Sequence, residues 1–139
     1  MRGRIVFDEA SPSKTTIEAT IDATTINTRV AGRDDDLKGP GFFDVAKYPT
    51  ITFRSTSVLP AGPNAFEVSG DLTIHGVTKP VVLHVESPAA VKNAHGVERR
   101  GAEATTKVSR KAFGVSADAG IVGDEVQVTI DLEAVRRPE

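Results

Sequence analysis

The chain has 139 residues, enough for one domain with its own hydrophobic core. Its 17 basic and 19 acidic side chains give a formal net charge of -2. This near-balance argues against a nucleic-acid-binding protein, which would carry a basic stripe or a high pI. The absence of cysteine excludes a disulfide framework, a thiolate metal site and a cysteine nucleophile.

Apolar and polar residues alternate along most of the chain, in segments that turn residues separate. In chain order, these segments are 4–8, 15–22, 50–58, 65–75, 81–86, 102–108 and 126–134. Alternation with a period of two indicates strands with one buried and one solvated face, as in antiparallel sheets. Seven strands of this kind predict a barrel or a sandwich.

Three segments between these strands lead to more specific expectations. A hairpin turn centred within 76–79 would pair apolar residues of one face, Ile74 with Val81 and Leu72 with Leu83. The segment 32–49 is rich in Asp and Gly and does not alternate. We expect a long loop there with at most a short helix, and loops of this length in a compact domain usually serve a function. The stretch 87–96 is predicted to be a plain inter-strand loop.

Small residues occupy several inward positions on different strands: Ala19, Gly70, Ala102, Ala104, Thr106 and Ala134. A filled barrel needs bulk inside, whereas a roomy barrel leaves space for a ligand. The pattern therefore favours a cavity, although a sandwich core can also mix small and large residues.

The residues with catalytic or metal-binding chemistry do not form a recognisable site. His75 is predicted at a hairpin turn, His84 on a solvated strand face and His95 in a loop, and none has a second ligand at metal-site spacing. The acidic run 34–36 lacks the spacing of a calcium-binding loop and is predicted to be an exposed turn. We therefore expect no catalysis, no metal and no cofactor.

Basic residues and apolar runs bear on possible partners. Three basic pairs lie far apart and lack interleaved aromatic residues, so we interpret them as solvated positions and expect no nucleic-acid partner: Arg99-Arg100, Arg110-Lys111 and Arg136-Arg137. No apolar run approaches the roughly 18 residues of a membrane-spanning helix, so we expect no integral membrane association. The first residues lack a signal-peptide pattern, which by itself predicts a cytoplasmic protein.

Two long runs resemble the signature of the YceI family. The first reads Arg33-Asp34-x-x-Leu37-x-x-x-x-Phe42-Phe43-Asp44-Val45-x-x-Tyr48-Pro49-x-Ile51-x-Phe53-x-Ser55-Thr56. The second reads Val68-x-Gly70-x-Leu72-Thr73-Ile74-His75-Gly76-Val77-Thr78-Lys79-Pro80-Val81. Shorter matches follow at Arg110-x-x-Phe113-Gly114-Val115, Gly123-Asp124-Glu125-Val126 and Leu132-Glu133-Ala134.

The resemblance covers essentially the whole chain and implies an all-β, antiparallel, lipocalin-like β-barrel with a long loop or short helix at one end. It also implies non-enzymatic binding or transport of a polyisoprenoid lipid, including quinone-type molecules, in an apolar cavity, and an exported protein. We expect the ligand-binding wall to include Phe42, Phe43, Phe53, Phe66, Leu72 and Ile74, with Arg33 and Asp36 near the opening. In a filled barrel the inward side chains among them would be core instead.

The chain departs from the family pattern at three places. The family usually begins with further strands, and segment 4–8 resembles the end of its second strand, so residues 1–139 are interpreted as one N-terminally shortened domain. Asp36 stands where the family usually has His, and Gly39 where it usually has Ser, so the head-group preference does not carry over. A barrel short of a strand has two open edges, which predicts a homodimer. The alternatives are a longer natural chain and an interaction protein with a filled barrel whose open edges mediate dimerisation.

Overall fold

The computed structural model describes residues 1–6, 11–87, 91–92, 98–118 and 120–136. Its strands are β1 (Arg2–Val6), β2 (Thr16–Asp22), β3 (Thr50–Gly62), β4 (Ala65–Ile74), β5 (Val77–Glu86), β6 (Val91–Lys92), β7 (Glu98–Ser109) and β8 (Glu125–Val135). In this part of the chain one α-helix, α1 (Ala31–Lys38), lies between β2 and β3. Short 3₁₀ turns occur at Pro12–Lys14, Ala23–Thr25 and Lys111–Phe113. None of the described helices has the length and apolar character needed to cross a membrane.

The strands form a single antiparallel sheet in the order β1-β2-β3-β4-β5-β7-β8, and the two-residue β6 also pairs with β7. The sheet curls into a half-barrel with β1 and β8 at its two edges. The predicted all-β, antiparallel, lipocalin-like architecture with a short helix at one end is therefore confirmed.

Element boundaries differ from the sequence prediction mainly at strand ends. Strand β3 continues through Pro60, and β5 begins at Val77, four residues before the predicted start. The segment 32–49 contains most of α1 followed by turns, as expected. Residues 7–8 of the first predicted strand, most of the loop predicted at 87–96, His95 and Arg137 lie outside the described residues. The prediction of a plain loop at 87–96 was wrong at Val91–Lys92, which form β6 and pair with β7.

The register of the β4–β5 hairpin was predicted wrongly. Ile74 pairs with Val77 rather than Val81, and Leu72 pairs with Lys79. The reason is a two-residue turn in which His75 and Gly76 have φ of 55° and 72°. Positive φ at both central residues is typical of the tight turns that match the twist of a hairpin. Because the register moved by an even number of residues, the apolar side chains still face inward.

The apolar side chains pack in two clusters on the concave side of the sheet. The first is formed by the buried residues Phe53, Val58, Val68 and Leu83 from β3, β4 and β5. The second is formed by the buried residues Val108, Phe113 and Val115 around the end of β7, with Phe42 packed against it. Leu72 and Val81 contact both clusters, which therefore form one continuous apolar surface.

Gly70 shows why one small inward residue does not indicate a cavity. A Cβ at this position would lie 2.5 Å from Cζ of Phe53 and 2.5 Å from the Arg54 carbonyl oxygen. The missing side chain thus makes room for the Phe53 ring and for the neighbouring strand. At Gly70, contrary to the expectation from small inward residues, the space is filled by the protein itself.

Candidate functional site

The predicted wall residues divide between the two clusters. Phe66 and Leu72 are partly exposed and pack against the first cluster, of which Phe53 is a buried member. Phe42 and Ile74 pack against the second. Phe43 is half-buried, and its backbone N–H donates to the carbonyl oxygen of Leu37 at 2.9 Å. The structure thus brings five of the six predicted apolar residues onto one surface.

This surface continues toward both edges of the half-barrel on residues that we did not place in the binding wall. Half-buried aliphatic side chains occupy alternate positions of β2, β3 and β8: Ile17, Ile21, Ile51, Val128, Ile130 and Leu132. The same alternation with a period of two marks these residues in the sequence. It shows that their side chains face the concave side, but it does not distinguish a buried core side chain from one that lines a ligand cavity. Apolar side chains therefore line the concave side from β2 to β8, and this side is incompletely covered along its open side.

Arg33 and Asp36 lie on α1, outside both clusters. The Arg33 guanidinium donates to Thr28, from Nε to Oγ1 at 3.0 Å and from Nη2 to the carbonyl oxygen at 3.1 Å. Asp34 Oδ1 accepts from the Thr28 backbone N–H at 2.8 Å and from the Thr28 hydroxyl, and these hydrogen bonds lower the pKa of Asp34. Asp36 is exposed, and its carbonyl oxygen accepts the N–H of Gly39 at the helix end. Arg33 and Asp34 thus hold the preceding chain against the helix.

The turns at the α1 end of the barrel are tightly packed on each other. The rings of Tyr48 and His75 meet edge to face with centroids 4.8 Å apart. A Cβ on Gly76 would lie 2.5 Å from the Tyr48 ring, and one on Gly114 would lie 3.1 Å from Nδ1 of His75. His75 is at the hairpin turn, as predicted, and there it links three segments that cover one end of the concave surface.

Arg110 is buried, which corrects the prediction of a solvated position. Its side chain donates to four backbone carbonyl oxygens: Nε to Gly123 at 2.9 Å, Nη1 to Val115 and Ala117 at 2.8 Å each, and Nη2 to Val122 at 2.9 Å. The loop after Phe113 folds back across the guanidinium. Two adjacent basic residues in a sequence do not predict that one of them is buried in this way. The only signal was the position of Arg110 in a family motif.

Neighbouring contacts fix the same loop from its far end. Asp124 Oδ2 accepts from the Ser109 hydroxyl at 2.7 Å, and Oδ1 accepts from the backbone N–H of Lys111 at 3.0 Å. These hydrogen bonds lower the pKa of Asp124. For Arg99 and Arg136 the predicted solvated position is confirmed, since both are exposed and pair with glutamates across strands.

The convex face carries a histidine between two carboxylates. His84 Nδ1 lies 2.6 Å from Glu67 Oε1, and Nε2 lies 3.5 Å from Glu86 Oε1. The prediction that His84 lies on a solvated strand face is confirmed by its half-exposed side chain. The hydrogen bond to Glu67, followed by that to Glu86, raises the pKa of His84. In the described part of the chain, no group of three or more His, Asp or Glu side chains is arranged to hold a metal ion.

We expect His84 to make the stability of the protein depend on pH. Because the folded-state pKa is raised above its ordinary value, the stabilisation is complete below the unfolded-state pKa and is lost as pH rises through the folded-state pKa. Urea unfolding of the wild type and of His84→Gln should therefore give midpoints that differ at pH 5.5 and converge at pH 8.5. A difference between the two midpoints that does not change with pH would contradict the assignment.

Comparison with known proteins extends over nearly the whole chain. A sequence profile of the YceI-like domain matches residues 1–134. Protein YceI of Escherichia coli is 38% identical over 135 residues, which cover 97% of this chain and 70% of that protein. A UPF0312 protein of Azotobacter vinelandii is 36% identical over 135 residues, which cover 97% of this chain and 70% of that protein.

Solved structures share the fold. The crystal structure of the Campylobacter jejuni YCEI protein matches with a TM-score of 0.89 and 29% identity, over 99% of this chain and 81% of that chain. Burkholderia cenocepacia BcnA matches with a TM-score of 0.84 and 30% identity, over 96% of this chain and 82% of that chain. The motifs, the fold and the sequence similarity agree, and the chain belongs to the YceI family.

Proposed function

We propose that this protein binds a long apolar ligand of the polyisoprenoid or quinone type along the concave face of its half-barrel, and that it does so without catalysis. The observation that carries the proposal is the continuous apolar surface from β2 to β8, which is only partly covered. Similarity to YceI proteins and to BcnA supports a ligand-binding barrel.

The dimensions of this surface suit an extended hydrocarbon chain. Strand β8 has 11 residues, and at about 3.3 Å per residue its concave side is roughly 36 Å long. Removing apolar area from water contributes about 25 cal/mol per Å², so a ligand that lies along the strand gains affinity with length. Such a ligand needs aliphatic and Phe walls rather than charged partners. The Phe66, Leu72 and Ile130 side chains provide walls of this kind.

The test is binding of a defined probe by the wild type and by two neighbouring variants of β8. Ile130 is half-buried on the concave side, and Thr129 beside it is exposed on the opposite side. Native mass spectrometry with added undecaprenol, and separately with ubiquinone, should show one bound molecule in the wild type and in Thr129→Asp. In Ile130→Asp the bound fraction should fall at least tenfold. Circular dichroism and a urea midpoint for each variant show whether it is folded.

Two results would overturn this proposal. One is a folded wild type that retains neither probe. The other is equal retention by folded Ile130→Asp and Thr129→Asp, because a ligand on the concave face cannot be indifferent to a charge placed there.

We also propose a second function, an interaction between two copies through the open edges, with residues 1–139 forming a single domain. The observation that favours it is the charge on the outward side of each edge: Arg2 and Arg4 on β1, Asp131 and Glu133 on β8. Antiparallel pairing of β1 with β8 of a second copy would bring opposite charges together and complete the wall of the concave face.

Sedimentation velocity tests the pairing. The wild type should sediment as a dimer, and Arg2→Glu combined with Arg4→Glu should weaken the dimer at least tenfold, with restoration when Asp131→Lys and Glu133→Lys are added. A 14.7 kDa monomer at every concentration would contradict the pairing and leave the ligand proposal to its own test.

A further inference from the structure

The loop between the Lys111–Phe113 turn and β8 exposes aliphatic side chains at its tip. Ile121 is 89% exposed and Val122 is 40% exposed, and glycines flank them at positions 120 and 123. No residue from 120 to 123 carries a charge. We call residues 120–123 the apolar tip. A single exposed aliphatic residue is common on protein surfaces, so the case depends on how this loop is built.

The loop that carries the apolar tip is hydrogen-bonded to a buried side chain. Arg110 is only 7% exposed, and it satisfies the carbonyl groups of Val122 and Gly123 in the tip itself. The N–H groups of Ile121 and Val122 both donate to the Asp118 carbonyl oxygen, at 2.9 and 2.8 Å. In exposed loops, backbone N–H and carbonyl groups are ordinarily hydrogen-bonded to water. Here the protein itself satisfies these four groups, the carbonyls of Val122 and Gly123 and the N–H groups of Ile121 and Val122, which lowers the cost of placing them in an apolar medium.

The position of the apolar tip connects it to the concave face. The loop enters β8 directly, where Val126 is 38% exposed and faces the concave side, followed at alternate positions by Val128 and Ile130. A Cβ on Gly41 would lie 3.3 Å from Cβ of Ala117, so the loop also packs beside the turns that follow α1. The tip therefore lies at the corner where the open β8 edge meets the covered end of the barrel.

We propose that the apolar tip inserts into the surface of a lipid bilayer and so brings the adjoining end of the concave face, at the start of β8, to the membrane. The inference rests on the proposed function, because a polyisoprenoid or quinone-type ligand is itself dissolved in the bilayer. Ligand passing between the membrane and the concave face would then move along Val126, Val128 and Ile130 without crossing water.

The chemistry of the tip favours a bilayer over a protein partner. Protein interfaces concentrate their binding energy in Trp, Tyr and Arg, and the tip presents only aliphatic side chains. The ionisable side chains in this loop and just before it have both signs, with Arg110 and Lys111 opposed by Asp118 and Asp124. Docking should therefore not depend on anionic lipid. Two inserted aliphatic residues give weak, reversible attachment, which suits a protein that loads or unloads a ligand.

The chain contains no tryptophan, so a single introduced tryptophan reports its own surroundings without background. In Ile121→Trp, addition of phosphatidylcholine vesicles that contain no isoprenoid should shift the emission to shorter wavelength, and brominated lipid should quench it. Leu59→Trp is the matched control, because Leu59 is 58% exposed near the opposite end of the sheet. Its emission should not change.

Co-sedimentation of unlabelled protein with the same vesicles gives an independent measurement. Ile121→Asp should lower the vesicle-bound fraction at least tenfold, whereas Leu59→Asp should bind as the wild type does. Unchanged emission in Ile121→Trp, or equal binding of the two Asp variants, would overturn the inference. So would a blue shift without vesicles that grows with protein concentration, since it would show that the tip packs against a second copy.

The outcomes separate this inference from the proposed function. If the vesicles bind the tip but undecaprenol and ubiquinone are not retained in native mass spectrometry, the proposed ligand is wrong and the docking surface stands. If the probes are retained but vesicles leave Ile121→Trp unchanged, the ligand assignment stands and the docking surface is wrong.

Discussion

Replacing Arg110 by methionine should lower the free energy of unfolding by about 4 kcal/mol, because a buried guanidinium with four carbonyl partners is lost. Each hydrogen bond from a charged donor contributes about 1.5–3 kcal/mol, and the loop recovers part of the loss when water enters it. Arg110→Lys keeps the charge but supplies one nitrogen instead of three, so it should be intermediate. Urea unfolding followed by circular dichroism measures the three midpoints.

Arg99→Met is the control for this change. Arg99 is an exposed cation whose Nη1 lies 2.7 Å from Glu133 Oε1, and exposed pairs of this kind contribute at most about 1 kcal/mol. Equal unfolding free energies of Arg110→Met and Arg99→Met would contradict this prediction. They would mean that the hydrogen bonds of Arg110 do not hold the loop that carries Ile121.

The second large effect is expected for Gly70→Ala, which should cost about 3 kcal/mol because overpacking at a well-filled site forces the backbone or the neighbouring ring to move. The added methyl group would lie 2.5 Å from both the Phe53 ring and the Arg54 carbonyl oxygen. Neither group is the free end of a flexible side chain, so the contact cannot be relieved by rotation alone. The midpoint of urea unfolding measures the loss.

Gly101→Ala provides the matched comparison within the same sheet. The nearest atom to a Cβ there is the Leu132 carbonyl oxygen at 3.9 Å, which is an ordinary contact. This variant should change the unfolding free energy by less than about 1 kcal/mol, toward greater stability, because alanine restricts the unfolded chain. Equal effects of Gly70→Ala and Gly101→Ala would mean that the Phe53 ring does not fill the space at Gly70. A smaller cost of Gly70→Ala in a Phe53→Leu background would show that the two sites are coupled.

Much of the sheet could be predicted from the sequence because strand alternation is a local property. Each of the seven predicted strands overlaps a strand of the structure, and inward residues such as Val81 and Leu83 remained inward although their partners changed. Hairpin register depends instead on backbone conformation at two residues. His75 was not expected to adopt a positive φ, since that region is uncommon for residues other than glycine.

The remaining errors concern packing between distant segments. The burial of Arg110 follows from a loop that returns to it, and the absence of a side chain at Gly70 follows from a ring on the neighbouring strand. Neither relation is visible in residue spacing. For the candidate site, alternation indicated which side chains face inward, but separating core residues such as Phe53 from partly covered ones such as Phe66 required the three-dimensional packing.

The alternation of strand directions limits what can complete the half-barrel. Leaving aside the two-residue β6, each strand from β1 to β8 runs antiparallel to its neighbours, so the first and last of the seven point the same way. Direct pairing of β8 with β1 inside one molecule would therefore be parallel. Antiparallel closure requires an odd number of additional strands. A single additional strand satisfies this requirement, and so do the seven strands of a second copy. An inserted hairpin adds two strands and does not satisfy it.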